Sequence, residues 1–108
     1  MEEYADSVQY LTFRLADEVY AMNVANIREV LEVPRITRVP RMPEYLEGII
    51  NLRGNVVPVM DLALKFGIGV TSFTKDTSVI VTELTGVFSD DAEEALVVGI
   101  FSDLVLKV

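Results

Sequence analysis

Gly48-Ile49-Ile50-Asn51-Leu52-Arg53-Gly54-Asn55-Val56-Val57-Pro58-Val59-Met60-Asp61-Leu62 is the stretch that decides how this chain reads. Two strand-like runs, Ile49 to Arg53 and Val56 to Met60, are rich in β-branched side chains. They are separated by Gly54-Asn55, a pair that tolerates the positive φ of a tight hairpin. Asn51 and Gly54 have structural reasons to stand here, a side-chain hydrogen bond to nearby backbone and an unhindered turn. Beyond the hairpin, Asp61 suits the N-cap of a short helix from Leu62 to Phe66, and Gly67 suits its C′ position.

Outward from this hairpin the chain keeps the same chemistry. Leu11, Phe13 and Leu15 alternate with Thr12 and Arg14, and Ala16-Asp17-Glu18 turns into Tyr20, Met22 and Val24, which predicts a hairpin over residues 8 to 24. From Val24 the period changes. Val24, Ile27, Val30 and Leu31 lie three and four apart, the spacing of a short amphipathic helix, and Pro34 ends it. On periodicity alone that stripe is core. Residues 34 to 43 hold three prolines, three arginines and no acid, which predicts an extended connector or edge strand. Pro43 suits the first turn of a brief helix over Glu44-Tyr45-Leu46-Glu47, stopped by Gly48. Towards the C-terminus, Val79-Ile80-Val81 and Leu96 to Phe101 read as strands around an acidic loop, Ser89 to Glu94, and Asp103 to Val108 alternates once more. Short strands separated by turn signals predict an all-β fold, a small barrel or a sandwich. The 108 residues contain no repeat, linker or low-complexity segment, so a single domain spanning residues 1–108 is expected.

Composition removes several chemistries. Without cysteine there is no disulfide framework, thiolate zinc site or cysteine nucleophile, and without histidine the commonest general base and metal ligand is missing. Gly67-Ile68-Gly69 lacks the third glycine and the strand-to-helix setting of a dinucleotide loop, and no Walker-type sequence occurs. Asp90, Asp91, Glu93 and Glu94 lack the alternate-position ligands and central glycine of a calcium loop, so they read as solvated. No catalytic, cofactor-binding or metal site is expected. Seventeen acids against nine bases give a net charge of −8, which repels phosphate backbones and anionic lipid alike. Nucleic acid and membrane insertion are therefore not expected, and the acidic start lacks the apolar core of a signal peptide. Five of the nine cations, Arg28, Arg35, Arg38, Arg41 and Arg53, fall between positions 28 and 53. Guanidinium forks clustered on an acidic protein suit protein recognition.

The quoted stretch resembles the signature of the CheW family, G-hydrophobic-hydrophobic-N-L-R-G followed by V-P-hydrophobic-hydrophobic-D-L, with Asn51, Gly54, Pro58 and Asp61 as its structural positions. The Phe13 strand, the Asp17-Glu18 turn, Ile27-Arg28-Glu29-Val30, Thr37-Arg38-Val39-Pro40, Lys65-Phe66-Gly67 and Val98-Gly99-Ile100 follow in the family's order, so the likeness spans residues 8 to 108. The resemblance implies two intertwined, pseudo-symmetric, five-stranded SH3-like barrels with short helices. It implies a non-catalytic, cytoplasmic adaptor that binds a chemoreceptor's cytoplasmic helical tip and the regulatory domain of a CheA-type histidine kinase. It shifts part of the Val24, Ile27 and Val30 stripe, with Arg28, Arg38 and Arg53, towards partner binding. For Arg53 two readings stay open, a guanidinium that holds the hairpin and a charge that faces partners. A start at Met1 close to the first strand implies a free-standing or N-terminal domain, the alternatives being part of a larger coupling protein or of the kinase. The family chain continues past the equivalent of Val108, and its late V-D-x-V stretch is here Phe101-Ser102-Asp103-Leu104-Val105. That difference leaves the second barrel short of a closing segment. It predicts an uncovered run from Leu96 to Phe101 and a homo-oligomer formed through open or swapped strands.

Overall fold

The computed structural model describes residues 9–69, 71–85 and 95–107. The acidic segment Ser89 to Glu94 lies outside them. Eight strands build the described fold: β1 Tyr10–Leu15, β2 Glu18–Asn23, β3 Ile27–Glu32, β4 Leu46–Leu52, β5 Asn55–Met60, β6 Ser78–Thr85, β7 Ala95–Ser102 and β8 Leu104–Lys107. A single helical turn, α1 Leu62–Lys65, follows β5. The strands form a three-stranded sheet, β2-β1-β8, and a five-stranded sheet, β3-β6-β7-β5-β4. The expected all-β class holds, as two sheets, and neither sheet is seen to close on itself among the described residues.

The middle of β6 and β7, Val79 to Thr82 and Val98 to Ser102, is buried on both faces of the five-stranded sheet, which explains why these strands read as continuous apolar runs instead of alternating ones. Alternate residues of β6 and β7 supply two separate cores. Ile80, Val98 and Ile100 join Leu11, Phe13, Leu15, Met60 and Ala63 on the side of the three-stranded sheet. Val79, Val81 and Phe101 join Ile50, Val57 and Val59 on the other. Phe73 meets Phe101 edge-on at 4.9 Å and caps this second core. The β5–β7 pairing is parallel and begins only at Val59 opposite Gly99. Pro58, which has no N–H to donate, sits one residue before that pairing starts. Gly99 is required where it stands, because an added Cβ would lie 2.8 Å from Val79 Cγ1.

Four sequence expectations need correction. The helix from Val24 to Leu31 is instead a 3₁₀ turn, Val24–Asn26, followed by β3. Asn23 caps the turn by accepting from Ala25 N at 2.8 Å, and β3 then pairs with β6 along its length. A two-turn helix offers few internal hydrogen bonds, whereas β-branched Ile27 and Val30 gain a full ladder against β6. The brief helix over Glu44 to Glu47 is a turn, with Leu46 N donating to Pro43 O at 2.9 Å, and Leu46 already opens β4. Gly48 stops nothing. It lies inside β4, where a Cβ would come within 2.4 Å of Thr37 O, so its bare Cα admits the connector that bridges Thr37 to Ile49. The hairpin turn falls one residue earlier than expected, on Arg53 (φ 51°) and Gly54 (φ 87°). Asn51 Oδ1 fixes it by accepting from Gly54 N at 3.0 Å. Finally, the run from Leu96 to Phe101 is not uncovered. It forms most of β7, flanked by β6 and β5, and Val98 to Phe101 are buried.

Candidate functional site

The turn that begins at Arg53 carries this guanidinium out of the hairpin tip and back towards β3. Its side chain stays 72% exposed yet donates to Glu29 Oε2. The hydrogen bond and charge of Glu29 hold the guanidinium above its ordinary pKa, so it stays ionised. On the neighbouring position of β3, Arg28 pairs with Glu83 of β6 at 2.9 Å. The β3 strand alternates in burial, so Glu29 and Leu31 lean inward while Arg28 and Val30 face solvent. Between β3 and the hairpin tip lies an open cleft of about 340 Å³, lined by Arg28, Glu29, Arg53, Val56 and Val97 among others. Val56 is 64% exposed there, so the cleft joins fixed charges to uncovered apolar surface.

Two of the sequence-selected arginines, Arg28 and Arg53, thus meet at one cleft. Val30 is exposed on the same strand. Val24 and Ile27 are half-buried and pack against the first core. Arg38 lies elsewhere, on the proline-rich connector, beside Arg41, Met42, Glu44, Glu47 and Leu64 around a second cleft of about 620 Å³. Asp61 does more than cap α1. Its buried carboxylate accepts from Leu64 N at 3.3 Å, from Thr71 N at 3.0 Å and from Thr71 Oγ1 at 3.0 Å, pinning the loop after the helix. Sequence reading missed Glu29, Glu83 and Val56. The first two become visible only when residues 27 to 32 are read as a strand, which sends Arg28 and Glu29 in opposite directions.

These features define a class, an all-β domain of two sheets whose exposed chemistry is a cleft of ion-paired arginines beside apolar side chains. The chain belongs to the CheW-like domain family, whose model matches residues 9–107. It is 38% identical over 99 residues to a chemotaxis protein CheW of Helicobacter pylori, covering 88% of this chain and 60% of that protein. It is 30% identical over 92 residues to a chemotaxis protein CheW of Klebsiella aerogenes, covering 82% of this chain and 55% of that one. Among solved structures, the scaffolding protein TtCheW from Thermoanaerobacter tengcongensis matches with a TM-score of 0.79 and 37% identity, covering 94% of this chain and 63% of that chain. The chain therefore spans about six-tenths of the length of these relatives.

Proposed function

We propose that this domain is a non-catalytic chemotaxis scaffold, working in the cytoplasm, that holds a chemoreceptor's cytoplasmic helical tip on one surface and the regulatory domain of a CheA-type histidine kinase on another. The observation that carries this reading is the 37% identity and 0.79 TM-score to a scaffolding protein across 94% of the chain. The cleft geometry supports it. Arg28 and Arg53 are held in place by carboxylates yet remain exposed, so they reach a partner with little side-chain freedom left to lose. Val30 and Val56 add apolar contact, and Val24 and Ile27 enter through the surface they leave exposed. Arg38, on the connector, belongs to a separate surface. Holding two partners at a fixed geometry lets a receptor shift bias the kinase between two states, with no bond made or broken by the scaffold.

The test mixes the chain with receptor cytoplasmic fragments and the kinase, and follows co-sedimentation together with receptor-dependent kinase phosphorylation. Co-sedimentation of both partners and a phosphorylation rate that depends on the added chain are expected. A chain that binds neither partner overturns the reading.

A further inference from the structure

Strand β7 belongs to the five-stranded sheet and β8 to the three-stranded one, and a single residue, Asp103, lies between them. The chain changes sheets at this joint, and the joint is tied to the β1–β2 hairpin at three points. Arg14 O accepts from Asp103 N at 2.9 Å and from the hydroxyl of the fully buried Ser102 at 3.3 Å. Ser102 Oγ in turn accepts from Leu104 N at 3.2 Å. Just past the end of β1, Ala16 N donates to Asp103 Oδ2 at 3.0 Å, a contact between residues 87 positions apart.

That last bond holds a strained turn. Ala16 and Asp17 join β1 to β2 as a two-residue loop, and both are left-handed, at φ 51° and 71°. A loop of this shape favours Gly, Asn or Asp at both positions. Asp17 meets that demand. Ala16 does not, because its Cβ crowds the following carbonyl and it has no polar side chain with which to bond the backbone in compensation. Leu15 and Glu18 face each other across the hairpin, so the Ala16 N–H points away from the ladder and Asp103 supplies its acceptor. The other carboxylate oxygen, Oδ1, is buried and has no partner among the described residues, so this closed arrangement also keeps an acceptor from water. One charge-assisted bond gained thus stands against backbone strain and a desolvated oxygen, effects of similar size.

We propose that Asp103 and the Ala16–Asp17 turn form a latch, a local two-state element of the fold. Closed, the carboxylate holds Ala16 left-handed. Open, the bond breaks, the turn relaxes and Oδ1 meets water, while the bonds to Arg14 O keep the joint in place and both sheets stay folded. Because Asp103 follows directly from β7, the latch sets where the tip of the β1–β2 hairpin lies relative to the five-stranded sheet.

Ala16→Gly tests this, since removing the Cβ helps only while the backbone is left-handed. In urea titrations it should raise the folded-to-unfolded ratio roughly threefold. Asp103→Asn keeps an acceptor for Ala16 N, and in that background the gain should persist. Asp103→Ala removes the acceptor, and the gain should vanish. The strong Overhauser effect between amide and α-proton that marks a positive φ should be present at Ala16 in the unmutated chain and in Asp103→Asn, and lost in Asp103→Ala. No gain in the unmutated chain, an equal gain in all three backgrounds, or a left-handed Ala16 in Asp103→Ala overturns the proposal, the last two by assigning the turn to hairpin geometry alone. Native-state hydrogen exchange reads the chain as it stands and decides the matter if Asp103→Ala does not fold. The Ala16 amide should exchange through a local opening nearly independent of low denaturant, slowed roughly threefold by Ala16→Gly. Exchange of that amide only through global unfolding would mean that no latch opens.

Discussion

Strands β3-β6-β7 and strands β8-β1-β2 are built alike, each an antiparallel hairpin with a further strand on one side, yet they are finished differently. In the first, the β4–β5 hairpin docks on the free side of β7, the connector bridges β4, and Arg53 reaches back to Glu29. In the second, β2 is the last strand among the described residues. The comparison teaches that a strand order by itself does not decide how well a unit is sealed. What decides it is whether another segment arrives with the right edge, as the β4–β5 hairpin does at β7.

The sealed unit should be the less forgiving one. Phe101→Ala, which empties a fully buried position against Phe73, is expected to cost about 3–5 kcal/mol in a urea titration. A loss below about 1 kcal/mol would show that the second core tolerates a gap and would weaken the contrast.

Gly48→Ala strikes the device that covers β4. The new methyl would meet Thr37 O at 2.4 Å and Ile36 Cγ2 at 2.7 Å, so the connector must lift or the strand must shift. A loss of roughly 1–3 kcal/mol is expected, with faster hydrogen exchange at the Ile49 amide. Unchanged exchange at Ile49 would mean that the connector is not held by that bridge.

On the three-stranded sheet, Tyr20→Ala removes a half-buried ring stacked against Phe13 at 6.2 Å. It should cost about 1 kcal/mol, less than Phe101→Ala because the ring already meets water. A cost equal to that of Phe101→Ala would erase the distinction between the two units.

The smallest stability effect is expected at the cleft. Arg53→Asn deletes an exposed guanidinium but keeps a residue that accepts positive φ, so the hairpin should survive and the melting temperature should change little. Receptor-dependent kinase phosphorylation should fall. A variant that melts early and couples normally once folded would assign Arg53 to the hairpin alone.

Much of this molecule was legible in one dimension. Alternation named Leu11, Phe13 and Leu15 as an inward face, the apolar runs named β5, β6 and β7, and Asp61 with Gly67 bracketed α1, because period, turn chemistry and capping are local properties. Asn51 and Gly54 announced a turn, though one residue of register escaped. The misreadings lie where local signals compete. Val24, Ile27, Val30 and Leu31 satisfy a helical spacing, and only the ladder offered by β6, some fifty residues further along the chain, tips them into a strand. Glu29 and Glu83 gained their roles by the same route, since a carboxylate's partner across a sheet has no sequence spacing to betray it. The chain by itself thus determined most of the strands other than β3, where most turns fall and where the arginines cluster. Tertiary structure alone decided that Arg28 and Arg53 share a cleft and that β7 is covered by β5 and β6. Those facts depend on which edges meet, and edge pairing is a long-range choice that residues make only after the chain has folded back upon itself.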